Sequence, residues 1–426
     1  MAVVKGFKAT IYNPQVVGDI SKVICPPYDV ICLDSQQRLL RNSPYNLIRL
    51  ELSEDIPGQD KYTQAALIMR SWLKDKILIS DQNPAIYVYK QQYTLKGSKR
   101  VRVGFLALLG LDDSSKNSVF GHEHTHIAPK EDRLRLLRSV RANLSPIFVI
   151  FPDKKKVIAQ TLLPLVNKQQ PFICAVDDEQ VLHQVWRIDI PEVLQKVEQK
   201  MLKENIFIAD GHHRYEVACA FRDEMKKSQG NINGNEGFNY ILAYFTNIDS
   251  QGLTVLPIHR LVTLEQRPNL DELLSKLSEH FSVEEIKDQN RFFFLLAKAG
   301  VSEHVIGMHT NGRFWLLRLR NIKVLNSFMP DRIAEYRSLD VSILNALVLE
   351  RLFKLNLTDK EHIIFSAQTD ELLQEIKKNP TKIAFFLNPT KIEQIISIAS
   401  KQEKMPPKST YFYPKVASGL VIHLLD

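Results

Sequence analysis

The chain has 426 residues, of which 44% are hydrophobic and 24% charged. That balance is ordinary for globular proteins and excludes collagen-like, disulfide-scaffold and wholly disordered chains. The 56 Lys and Arg against 48 Asp and Glu leave a formal net charge of +8, which favours anionic ligands without choosing between nucleic acid and small phosphates.

At roughly 150 residues per domain, the length implies two or three domains, each able to bury its own core. No apolar h-region follows Met1, so no secretory signal is expected. The longest apolar stretch, residues 103–111, falls well short of the ~20 residues that a bilayer span needs. The expectation is a soluble, cytoplasmic protein. Its four cysteines, Cys25, Cys32, Cys174 and Cys219, include no CxxC pair, and they read as reduced and mostly buried thiols.

In chain order, apolar residues at helical spacing predict a helix over residues 62–78. Two strands follow over 86–89 and 100–109, joined by a turn at Lys96-Gly97-Ser98. Residues 143–151 predict a strand behind Pro146. Pro152 and Asp153, followed by Lys154, Lys155 and Lys156, mark a candidate boundary with a solvated basic face. A helix is expected over 190–205, a strand over 206–209, a helix over 211–227 and a Gly/Asn-rich loop over 228–237. Strands over 238–246 and 252–258 come next, then alternating helices and strands that include a helix at 339–352 and a buried strand at 382–387. The mixture predicts an α/β (α+β) protein with mixed sheets. Three regions are expected: an N-terminal α+β region over 1–152, a core over 153–265 and a C-terminal α/β region over 266–426.

The segment with the most chemistry is Ile206-Phe-Ile-Ala-Asp210-Gly211-His212-His213-Arg214. An apolar strand runs into Asp-Gly, and a helical pattern starts at once. Asp210 is the expected N-cap, and Gly211 permits a tight turn. The first N–H groups of the helix then face an open site with partial positive charge, which suits phosphate. His212, His213 and Arg214 place cationic or titratable groups at the end of the helix that normally prefers anions. Arg grips phosphate bidentately, and His donates hydrogen bonds or carries a proton near neutral pH.

A second cluster, His122-Glu123-His124-Thr125-His126 through Pro129 to Arg133, reads as a loop. Its three histidines would share one face of a strand and suit a metal, but a substrate-facing loop with Glu123, Thr125 and Arg133 fits better. An exposed, polar, His-rich loop is a place for acid–base groups. The terminal segment over 405–420 offers Lys408, Ser409 and Lys415 as phosphate contacts. Cys25-Pro26-Pro27-Tyr28-Asp29-Val30 makes a rigid loop. The arginines from Arg133 to Arg141 form the densest basic run besides the Lys154–Lys156 stretch.

Together these segments resemble the bacterial and archaeal family known as domain of unknown function 1015. The matching pieces, in order, are Pro26 to Val30, Asn46-Leu-Ile-Arg49-Leu, the cluster from His122 to Arg133, and Ala209 to Glu216. They continue with Leu256-Pro257-Ile-His259-Arg260, Leu339-Asp340-Val and Met405 to Leu420. Pro407 and Asn345 depart from the family pattern, where a polar residue and a histidine are expected. The Asp210–Arg214 box also resembles the phosphate-binding box of the ParB/sulfiredoxin-like fold, which includes free-serine kinases. This second resemblance implies phosphoryl transfer on serine, with a phosphatase of O-phosphoserine or a nucleotide-dependent serine kinase as the two forms. Under it Asp210, His212, His213, Glu123 and Glu51 are expected as catalytic groups. Gly211, Arg214, Arg133, Lys408, Ser409 and Lys415 are expected to bind phosphate or substrate. Mg²⁺ and ADP or ATP are the implied cofactors, and a small phosphorylated substrate or nucleotide is the implied partner, with no role for nucleic acid or membrane. The rival expectations are a ParB-like regulator that binds nucleotide or DNA without catalysis, and a metal-binding scaffold centred on His122, His124 and His126.

Overall fold

The computed structural model describes residues 1–111, 118–125, 127–229, 234–357, 361–379 and 381–425. His126 and residues 230–233 of the expected Gly/Asn-rich loop lie outside them. The chain divides into two units. Unit 1 comprises Met1–Gly121, Thr125–Thr254 and Pro414–Asp426; unit 2 comprises His122–His124 and Val255–Tyr413.

Among the described residues, unit 1 is built on a sheet of nine strands. These are β1 (Val4–Lys5), β2 (Ile86–Leu95), β3 (Ser98–Gly110), β4 (Val119–Phe120) and β5 (Ile147–Phe151). The remaining four are β6 (Ile173–Val176), β7 (Leu182–Ile188), β8 (Ile206–Asp210) and β9 (Tyr240–Asn247). Their order is β4-β8-β5-β9-β3-β2-β7-β6, with β1 also paired to β3. The β4–β8 and β5–β9 pairs are parallel and the others antiparallel, so the expected mixed sheet is present. At the β2–β3 hairpin Lys96 and Gly97 both take positive φ, 49° and 75°, the backbone of a primed two-residue turn that matches strand twist.

Five helices of unit 1 bear on the argument: α1 (Lys61–Lys74), α2 (Ile127–Val140), α3 (Val157–Val166), α4 (Pro191–Met201) and α5 (His212–Gln229). Alternate residues of the sheet, including Phe105, Val149, Ile208 and Phe245, form one core with Ile158, Leu162, Val197 and Met201 of α3 and α4. Helices α2 and α5 pack through Leu137, Val217, Phe221 and Met225.

Three local expectations change. Helix α1 ends before 78 because Lys76 takes a φ of 54° and Leu78–Ser80 pairs with Thr10–Tyr12 instead. Pro129 does not keep its segment in a loop. It is the third residue of α2, where no N–H has an intrahelical acceptor to lose. The thiols are not mostly buried: Cys25 is, but Cys32 and Cys174 are exposed and Cys219 is intermediate.

Unit 2 holds an antiparallel sheet of β10 (His259–Thr263), β11 (Phe281–Ile286), β12 (Val305–Thr310), β13 (Arg313–Leu319), β14 (Ile363–Ser366) and β15 (Lys382–Phe386). The order is β11-β13-β12-β15-β10-β14. Val262, Phe281, Met308, Trp315 and Phe385 lie in its core. The single helix expected over 339–352 is an α-helix over Asp340–Leu344 that widens into a π-helix over Asn345–Glu350. No helix among the described residues is long and apolar enough to cross a membrane.

Candidate functional site

Strand β8 meets β5 antiparallel, with Phe207 opposite Ile150, Ile208 opposite Val149 and Asp210 opposite Phe148. Ala209 is therefore an extra residue, a β-bulge that re-aims the chain as it leaves the strand. Gly211 then takes a φ of 90°, and its carbonyl accepts from Tyr215 N–H at 3.0 Å. That first helical bond makes Gly211 the N-cap of α5 in place of the expected Asp210. The Asp210 carboxylate instead accepts from Gly211 N–H at 2.9 Å, one residue outside the helix.

Only glycine suits position 211. A Cβ there would stand 2.9 Å from Ile147 Cγ2 and 3.0 Å from Arg214 Nη2, on backbone that L side chains rarely adopt. Gly211→Ala is expected to destabilise unit 1 by roughly 1–3 kcal/mol. A urea midpoint equal to wild type would contradict this.

Around the turn the chain gathers opposite charges. Lys415 Nζ lies 3.1 Å from Asp210 Oδ2, and Arg214 Nη2 lies 3.8 Å from the same oxygen. Arg214 Nη1 also donates to the Pro146 carbonyl. Asp29 is close enough to feel all three groups. Burial and the Asp210 carboxylate raise its acid above the ordinary carboxylate range, opposed by Lys415 and Arg214. Asp29 is nonetheless exposed by surface area. Water at this exposed side chain weakens both contributions. His212 is buried at 4% exposure, whereas His213 and Arg214 are half-buried.

Beside this turn lies a cavity of about 60 Å³, lined in part by Tyr28, Glu51, Arg133, Ser145 and Arg214. It has room for about two water molecules. Arg133 Nη1 donates to the Glu51 carbonyl at 2.9 Å and to Glu51 Oε2 at 3.2 Å, and its guanidinium lies 4.4 Å from the Tyr28 ring centroid. Burial pushes the Tyr28 hydroxyl up to about 12, against the pull of Arg214 and Arg133. Ser145 donates to Glu51 Oε1, and its oxygen lies 2.6 Å from Ser418 Oγ. Glu51 is thus held from two sides. Ser145 and Ser418 are members of this network that no local sequence pattern singles out.

Asp132 accepts from Arg133, from Lys61 at 2.7 Å and from Tyr62 at 2.9 Å. Burial would raise this acid, but Lys61 and Arg133 outweigh it and bring it down to about 2. A folded value below the ordinary one contributes stability that is present above about pH 4 and lost as pH falls toward 2. Asp132→Asn is therefore expected to be less stable than wild type at pH 7, with the gap closing toward pH 2. Urea midpoints that differ equally at both ends would contradict that linkage.

The other expected site residues belong to unit 2. Thr410 Oγ1 lies 3.4 Å from Glu123 Oε1. Ser409 is 2% exposed and donates to the Pro406 carbonyl. Lys408 is exposed, and its carbonyl accepts from Arg260 at 2.9 Å. His122 is buried, 3.1 Å from Thr410 Oγ1, while His124 is exposed, so those two do not share a face. In unit 1 the basic run lies on α2 up to Val140, and Arg141 follows it with a φ of 54°. Arg135 pairs with Glu131, Arg138 with Glu224, and Arg141 lies over Phe221.

Among the described residues, no three His, Cys, Asp or Glu side chains stand together as a metal cage. Asp29 and Asp210 supply hard oxygen ligands of the kind Mg²⁺ takes one or two of, with water and phosphate oxygens completing its shell.

The model of the family described as "Protein of unknown function (DUF1015)" matches residues 4–342. No curated protein matches the sequence. Among solved structures, "SbnI with C-terminal truncation from Staphylococcus aureus" aligns at 11% identity and a TM-score of 0.37, over 75% of this chain and 87% of that one. A conserved hypothetical protein from Pyrococcus furiosus aligns at 10% identity and 0.33, over 72% and 92%. A "Free serine kinase in complex with AMP" aligns at 12% identity and 0.31, over 69% and 83%.

Proposed function

The chain belongs to the DUF1015 family of proteins of unknown function, and from the site in unit 1 we propose that it transfers a phosphoryl group between a small hydroxy amino acid, serine, and water or a nucleotide. The observation that carries this reading is the bulge–glycine–helix turn, which sets Asp210, Arg214 and Lys415 around the N-terminus of an 18-residue helix. Such an end carries partial positive charge that favours a phosphate.

In this reading Arg214 and the first N–H groups of α5 hold the phosphoryl oxygens, with His213 as a further donor. His212, the buried histidine, supports the turn from below. Lys415 and Arg214 neutralise charge that develops on the transferring group. Asp29 and Asp210 would hold Mg²⁺, which would supply positive charge to neutralise the phosphoryl group. Glu51 acts indirectly, by fixing Arg133 and Tyr28 beside Arg214. ADP or ATP is the proposed partner if transfer runs to or from a nucleotide.

The experiment is release of phosphate from O-phosphoserine with Mg²⁺, with and without ADP. Release without ADP identifies a phosphatase, whereas ADP-dependent formation of ATP identifies a kinase running in reverse. No transfer in either arm, with the protein folded, contradicts the proposal.

A further inference from the structure

The Lys415 ammonium can act at Asp210 only if the chain carrying it is held in place, and residues 205 positions apart must meet there. The hold comes from a guanidinium inside the sheet. Arg102 of β3 is fully buried. Its Nε donates to Gln91 Oε1 of β2 at 3.0 Å, and Nη2 donates to the Pro414 carbonyl. Gln91 Nε2 in turn donates to the Lys415 carbonyl at 2.9 Å. The Arg102 guanidinium carbon lies 4.6 Å from the ring centroid of Phe148, the residue opposite Asp210 in the bulged register. One buried cation therefore grips the carbonyl before Lys415, and with Gln91 the carbonyl of Lys415 itself, next to the strand that presents Asp210.

A buried guanidinium is costly unless its donors are satisfied. An apolar residue would fill the same space beneath two strands, so simple packing does not call for arginine here. We propose that Arg102, with Gln91, is the positioning device of the site: it docks Pro414 and Lys415 against the sheet and so sets the Lys415–Asp210 contact. Arg102 itself touches no substrate. The consequence for phosphoryl transfer rests on the proposed function, whereas the docking itself does not.

The test separates the two. Acetic anhydride labelling of Lys415, read by peptide mass spectrometry against an exposed lysine of the same protein, reports whether the ammonium is held. In wild type Lys415 should label slowly. In Arg102→Met and in the milder Gln91→Leu, its rate should rise roughly tenfold or more, the factor expected when a charge-assisted contact is released. Gln91→Leu decides the matter if Arg102→Met does not fold. Lys415 labelling as slowly in Gln91→Leu as in wild type would overturn the proposal. In O-phosphoserine turnover, Gln91→Leu should add no loss to Lys415→Met, because both act through one contact; additive losses would equally overturn it. Faster labelling in the variants, with wild type inert toward O-phosphoserine, would leave the docking role standing and remove the proposed function.

Discussion

Replacing Arg214 by Ala is expected to slow phosphoryl transfer by on the order of 10²–10³-fold, the loss typical when one preorganised donor to developing charge is removed. The guanidinium stands 3.8 Å from Asp210 and is braced by the Pro146 carbonyl, so it is fixed before substrate arrives. Because it would bind phosphate in the ground state as well as in transfer, KM should rise while kcat falls. Arg214→Lys should recover part of the loss, since a single ammonium restores charge but not the planar fork. An Arg214→Ala enzyme within about threefold of wild type would remove Arg214 from the reaction.

The largest stability loss is expected at Glu51. It and Arg133 are 5% and 7% exposed, and breaking a buried pair from one side leaves an uncompensated charge that costs about 3–5 kcal/mol. Asp132 keeps two contacts to Arg133, so Glu51→Ala should fall toward the lower end. Ser145 would also lose its acceptor. Glu51→Gln keeps one amide oxygen to accept from Arg133 and can turn its NH2 to donate to the Ser145 hydroxyl oxygen, and should cost clearly less than Glu51→Ala. Urea unfolding measures both, and a loss under about 1 kcal/mol for Glu51→Ala would show that the pair is not structural.

The part of the site that was legible in the sequence is the part made by neighbours in the chain. Residues 206–209 are continuously apolar, the period changes to that of a helix directly after Asp210-Gly211, and a left-handed glycine is the usual device at such a corner. The hairpin at Lys96-Gly97 was readable for the same reason. What local pattern could not show is pairing over distance. Lys415 reaches Asp210, and Arg102 reaches Pro414, only because the last residues of the chain return to unit 1 after the whole of unit 2 has been made. Nothing in the composition of either segment announces the other. Asp29 was visible only as part of a rigid Pro-Pro loop, since its altered proton affinity comes first from burial and then from Asp210, far along the chain. Pro129 misled because a proline is read as a breaker unless the start of the helix is already known.

The central claim is that the Asp210–Arg214 turn holds a phosphate. The most direct measurement is ³¹P NMR of O-phosphoserine titrated with wild type and with Arg214→Ala, in Mg²⁺ and without nucleotide. The account predicts a shifted or broadened resonance with wild type that returns to the free position with the variant. An unperturbed resonance with folded wild type, or equal perturbation by both proteins, would contradict it.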